Sequence, residues 1–168
     1  MEYKITNRGA EIYNLSSFDL AETFDCGQCF RWEALPCDET NGIQKFSAVV
    51  RGRYTTVYKN NNVFVIEDCT EDELKNIFID YFDLNLDYDA VRASLVQKLP
   101  ILKDAAKNAP GIRILAQEPW EALCSFIISQ NNNIPRIKGI ISRLCETFGE
   151  KCGESYTFPS AETDRKSV

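Results

Sequence analysis

The residues best equipped for chemistry fall into two short groups. Cys26 and Cys29 flank Gly27 in the stretch FDCGQCFRWE, residues 24 to 33, and Asn131, Asn132 and Asn133 are followed closely by Arg136. A Cys-x-x-Cys pair reads as a redox pair where a strand runs into a helix, and as half of a zinc site where a second pair completes it. The glycine between the thiols offers something different, backbone that can approach a ligand closely. The asparagine run also has two readings. It is a helix-to-helix corner, because Asn caps helices and tolerates positive φ, or it is three amides beside a cation, facing an unpaired base or a phosphate.

The composition narrows the chemistry. With no His in the chain, the commonest general base, the commonest zinc ligand and any Cys-His or Ser-His-Asp nucleophile system are excluded. What remains is carboxylates, lysines, thiols and backbone groups. A zinc site from Cys26, Cys29, Cys37 and Cys69 can be drawn on paper, but no second Cys-x-x-Cys and no His supports it. Seven cysteines is an odd number, and without an export signal it points to free, mostly buried thiols.

The elements that must position these groups are of two kinds. QCFRWEAL alternates through Phe30 and Trp32 and predicts a strand, as do KFSAVV, RYTTVYK and VFVIED, the last two forming a hairpin around Asn60 to Asn62. Thr70 and Glu73 make a capping box, followed by Leu74, Ile77, Phe78, Tyr81 and Phe82 at helical spacing. A shorter helix is expected after Asp87, with Val91 and Leu95 on one face, and another from Pro100 to Lys107. Beyond residue 100 the strand signal disappears. Pro119 opens a helix with Trp120, Leu123, Cys124, Ile127 and Ile128 on one side. A second helix follows the asparagine run, with Ile134, Ile137, Ile141, Leu144, Cys145 and Phe148 apolar and Gly149 as its stop.

The 168 residues, 44% hydrophobic and 11% aromatic, suffice for one ordinary domain or for a small one plus part of another. No apolar run approaches the roughly 20 residues of a membrane helix, and MEYKITNRGA lacks the form of a signal peptide. The expectation is an intracellular protein with no membrane association. The net charge of −6 is uneven: residues 1 to 100 carry 10 Lys+Arg against 17 Asp+Glu, and residues 101 to 151 carry 7 against 5. The mildly basic second part is compatible with a phosphate-facing surface.

The stretch GIRILAQEPWEALCSFIISQNNNIPRIKGIISRLCETFGE, with FDCGQCFRW about a hundred residues earlier, resembles the 8-oxoguanine DNA glycosylases of the helix-hairpin-helix superfamily over residues 12 to 160. The resemblance implies an α+β fold: an N-terminal domain, residues 1 to 108, with a twisted antiparallel sheet and packed helices (TBP-like), then the first helices of an all-α glycosylase domain, residues 109 to 168. It also implies base recognition by Gly27, whose carbonyl would accept a hydrogen bond from N7–H of an extruded 8-oxoguanine; guanine has a lone pair at N7 instead. Asn131, Asn132, Asn133 and Arg136 would contact DNA, Asn131 entering the space the base vacates and Arg136 bonding the orphaned cytosine. Phe30, Arg31 and Trp32 are assigned to the domain core and its surface. Double-stranded DNA carrying a damaged base is the implied partner, and no cofactor or metal is implied.

The family's nucleophilic lysine and assisting aspartate follow a hairpin of the LPGVG type. NAPGIRIL has Pro110 and Gly111 but no second glycine and no following helical lysine, and Lys138 has nothing around it that suggests an activated amine. The expectation is therefore an N-terminal portion with no catalytic residue of its own and an incomplete helical domain. Two alternatives stand beside it. One is a glycosylase fragment for an alkylated purine; the other is a non-catalytic DNA- or protein-binding module that self-associates through the uncovered helical face from Trp120 to Phe148.

Overall fold

The computed structural model describes residues 1–15, 17–36 and 43–166. Six antiparallel strands form one sheet: β1 (Glu2–Thr6), β2 (Gly9–Tyr13), β3 (Glu33–Leu35), β4 (Lys45–Val50), β5 (Arg53–Asn60) and β6 (Val63–Glu67), in the order β1-β2-β6-β5-β4-β3. Short turns set the registers. Between β4 and β5, Arg51 and Gly52 both take positive φ, 47° and 81°, and Val50 pairs with Arg53. Two central residues with positive φ make the type I′ turn, whose twist matches that of the strands it joins. Asn61 at φ 52° turns β5 into β6, the hairpin expected around the asparagines.

Helix α1 (Leu20–Phe24) starts at Asp19, whose carboxylate accepts the Glu22 amide at 2.8 Å. After β6 the Thr70–Glu73 capping box is formed in both directions and opens α2 (Glu71–Glu73). A widened π turn, Leu74–Phe78, and α3 (Ile79–Tyr81) continue the same run. These turns drive Leu74, Phe78, Tyr81 and Phe82 into the core on the sheet. Phe82 is its hub, meeting Phe18, Phe64 and Phe78 with ring centroids at 5.8, 5.1 and 6.1 Å. Helix α4 (Tyr88–Lys98) is capped by Asp87 but buries no residue, so the face of Val91 and Leu95 stays on the surface. A 3-10 turn, Pro100–Leu102, leads into α5 (Lys103–Asn108).

The helical part holds α6 (Pro119–Ser129) and α7 (Ile134–Phe148), then a two-stranded ribbon, β7 (Lys151–Cys152) with β8 (Ser155–Tyr156), and α8 (Ala161–Lys166). A second, smaller core forms where Ile137, Ile141 and Cys145 of α7 meet Phe30, Ile128, Tyr156 and Phe158.

Three features depart from the expectation. The hairpin of β1 and β2 carried no sequence signal strong enough to be assigned, because its inner positions are short runs mixed with charge. The ribbon of β7 and β8 was equally hidden in two-residue strands. QCFRWEAL is strand only from Glu33 to Leu35, although Phe30 and Trp32 have the parity of one strand face. Their side chains part company: Trp32 stacks on Phe24 at 4.1 Å in the sheet core, whereas Phe30 packs against the α7 cluster. A residue pair split between two cores cannot be the even face of one pleated strand.

Candidate nucleic-acid interface

Gly27 sits in the loop that leaves α1, at φ 83°, with nothing within 4 Å of where a Cβ would stand. That φ favours glycine, and the open surroundings leave its backbone accessible. The two flanking thiols differ. Cys26 is exposed and its Sγ donates to the Thr23 carbonyl at 3.3 Å, whereas Cys29 is buried and burial pushes its thiol pKa up to about 12. Among the described residues no cluster of three or more His, Cys, Asp or Glu side chains converges on one point; Cys37 lies outside the described residues.

Gln28 ties this loop to the extended segment that precedes α6. Its Nε2 donates to the carbonyls of Thr23 and Arg113 at 2.9 and 2.7 Å, and its Oε1 accepts the Leu115 amide at 3.0 Å. The main-chain carbonyl of Gln28 accepts from Gln117 Nε2 at 2.6 Å. Nearby, the Gly111 carbonyl accepts the Asp19 amide at 2.8 Å and the Thr23 hydroxyl at 3.1 Å. A Cβ on Gly111 would lie 2.3 Å from Asp19 Cβ, so the close approach of the two segments requires glycine there. Arg113 is 3% exposed; its guanidinium donates to the carbonyls of Ser17 and Asp83 and stacks 4.4 Å from the Tyr88 ring.

The asparagine run is built as a corner between α6 and α7. Asn132 Nδ2 donates to the Ile128 carbonyl at 2.7 Å, closing the end of α6. Asn133 is the N-cap of α7, its Oδ1 accepting the Arg136 amide at 3.0 Å. Asn131 takes φ 58° and is exposed, and its side chain makes no hydrogen bond among the described residues. Arg136 is likewise exposed on the first turn of α7 and forms no ion pair among the described residues. Structural duty and availability are thus divided: two amides hold the corner, while one amide and one guanidinium stand open.

Two links join the Gly27 loop to this corner. Phe30 packs against the Ile137, Ile141 and Cys145 cluster of α7, and Lys138 Nζ lies 4.0 Å from Asp25 Oδ1. Arg31 pairs with Glu121 of α6 at 2.9 Å and also donates to the Tyr156 carbonyl. Burial raises the Glu121 carboxyl pKa and Arg31 opposes that rise. Arg31 and Trp32 therefore serve as joint and core, while Gln28, Thr23 and Gln117 carry bonds that no sequence pattern announced. A lone Gln has no periodicity, and the partners in the later segment lie 85 to 89 residues away.

The chain is similar to known proteins along most of its length. Residues 12–123 match the family described as 8-oxoguanine DNA glycosylase, N-terminal domain. The N-glycosylase/DNA lyase of Saccharomyces cerevisiae is 37% identical over 96% of the chain, and that of Arabidopsis thaliana 26% over 83%. The chain spans 45% and 39% of those two proteins. The Clostridium acetobutylicum 8-oxoguanine glycosylase/lyase, solved with double-stranded DNA containing cytosine opposite 8-oxoguanine, superposes with a TM-score of 0.87. It is 35% identical, over 97% of this chain and 55% of that one. Its DNA-free form gives a TM-score of 0.85. The chain belongs to the 8-oxoguanine DNA glycosylase family, residues 12–123 matching the model of its N-terminal domain.

Proposed function

We propose that this chain serves base excision repair by recognising an extruded 8-oxoguanine opposite cytosine in double-stranded DNA, as part of a DNA glycosylase and abasic-site lyase. The observation that carries the reading is the shared footing of the two motifs. Phe30, beside the Gly27 loop, is packed on the helix that Asn133 caps and Arg136 opens. The Gly27 carbonyl accepts N7–H of the oxidised base, and would face a lone pair on guanine; leaving a buried acceptor unpaired costs about 1–3 kcal/mol. Asn131 fills the gap left in the stack and Arg136 bonds the widowed cytosine, which offset the few kcal/mol of extrusion. Asn132 and Asn133 hold the corner and turn their remaining polar groups to the DNA backbone. The two regions, 1 to 108 and 109 to 168, act as one reading head, and the base-displacing lysine and its aspartate are not among these residues.

The test compares affinity of the 168-residue chain for matched duplexes carrying 8-oxoguanine or guanine opposite cytosine. The oxidised duplex is expected to bind more tightly, with Asn131→Ala lowering that affinity about tenfold, near 1.4 kcal/mol. Borohydride is expected to trap no covalent adduct. Equal affinity for the two duplexes, or a trapped adduct, would contradict the corresponding part of the reading. An alkylated-purine duplex preferred over both would move the substrate class to the alternative.

A further inference from the structure

Residues 26–32 lie outside every helix and strand, so no ladder fixes the direction in which the Gly27 carbonyl points. Gly27 itself is exposed, and nothing beyond its chain neighbours lies within 4 Å of its Cβ position. The carbonyl belongs to the same rigid peptide plane as the nitrogen and α carbon of Gln28. Whatever holds Gln28 therefore aims Gly27.

Gln28 is held on both sides. Its side-chain amide gives hydrogen bonds to Thr23 and Arg113 at 2.9 and 2.7 Å and receives one from the Leu115 amide at 3.0 Å; its nitrogen also lies 3.4 Å from Cys26 Sγ. Its own carbonyl is gripped by the Gln117 amide at 2.6 Å. Segment 113–117 is a firm anchor, because Arg113 and Leu115 are buried and the Ala116 amide bonds the Tyr81 carbonyl at 2.9 Å.

We infer that Gln28 is a positioning residue for base specificity: clamped by Gln117 and the 113–117 backbone, it fixes the Gly27 carbonyl in the one direction that distinguishes an N7–H donor from an N7 lone pair. The inference rests on the role proposed for Gly27. A clamp that merely stabilised the fold would, when removed, weaken binding to damaged and undamaged DNA alike. A clamp that aims the carbonyl changes the ratio between them.

The experiment measures that ratio, the affinity for an 8-oxoguanine:cytosine duplex over a guanine:cytosine duplex, for the 168-residue chain and for Gln28→Leu and Gln117→Ala. Hydrogen exchange at the Leu115 amide is followed in parallel. The expected result is a ratio lowered about fivefold in each variant, with affinity for the guanine duplex nearly unchanged and faster Leu115 exchange in Gln28→Leu. If Gln28→Leu does not fold, Gln117→Ala decides, since it deletes only the bond to the Gln28 carbonyl. An unchanged ratio in a folded variant overturns the inference and leaves the function standing. A wild-type ratio of one overturns the function and the inference together. Unchanged Leu115 exchange in folded Gln28→Leu overturns the clamp.

Discussion

At the scale of single residues, burial separates thiols that the sequence alone presents as equals. Cys29 is pushed up to about 12 and Cys69 to about 11 by burial, whereas Cys26 is exposed. The thiolate is the nucleophile, and a raised folded pKa withholds it. Iodoacetamide at pH 8 is thus expected to alkylate Cys26 well before Cys29 or Cys69, which should react only on unfolding; peptide mass spectrometry reads the order. The same groups lend stability that is fully present below the ordinary thiol pKa of about 9 and is lost as pH rises through the raised values. The residues of the candidate site were legible to different degrees. Gly27 and Asn131 stood out because their neighbours make short, specific motifs. Gln28 and Gln117 did not, because their partnership exists only once distant segments meet.

At the scale of elements, the joint between the two cores is ionic. Arg31 and Glu121 have side chains only 10% and 19% exposed, and the burial of Glu121 raises its pKa despite Arg31. Removing one partner of a buried pair strands the other, at about 3 kcal/mol. Because the folded pKa of Glu121 lies above its ordinary 4.5, its contribution is complete below that value and is lost as pH rises through the folded pKa. Arg31→Met deepens that loss. Urea unfolding should accordingly find Arg31→Met destabilised by about 3 kcal/mol at pH 7 and by clearly less at pH 4.5. An equal penalty at both pH values would mean that the pair does not govern the joint. Among the elements themselves, the capping box at Thr70, the Asn61 hairpin and both long helices were readable because local chemistry dictates them. The β1–β2 hairpin and the split course of residues 29–32 were not, since tertiary packing overrode weak or misleading alternation.

At the scale of the whole molecule, one side of α6 stands uncovered. Leu123, Phe126 and Ile127 are 52%, 64% and 61% exposed, and Ile114 is 72% exposed. Helical spacing put Leu123 and Ile127 on one side with Trp120, Cys124 and Ile128, but Ile128 packs against the α7 cluster and the exposed side is completed by Phe126, because no pattern within a helix reveals what lies against it. Apolar patches of this kind associate in water. Sedimentation of the 168-residue chain is expected to reveal concentration-dependent dimers, weakened by Phe126→Ser with Ile127→Ser; monomers throughout the micromolar range would speak against self-association. No helix among the described residues is long and apolar enough to cross a membrane.

The clamp on Gln28 also orders events in time. The sheet is assembled from residues 2 to 67, but the bonds that aim Gly27 come from residues 85 to 89 positions later in the chain. Closing so long a loop carries an entropic cost that must be met before the contacts repay it. On a ribosome, the strands can therefore pair while the loop after α1 is still unheld, and the clamp inferred for Gln28 closes only when Gln117 has emerged.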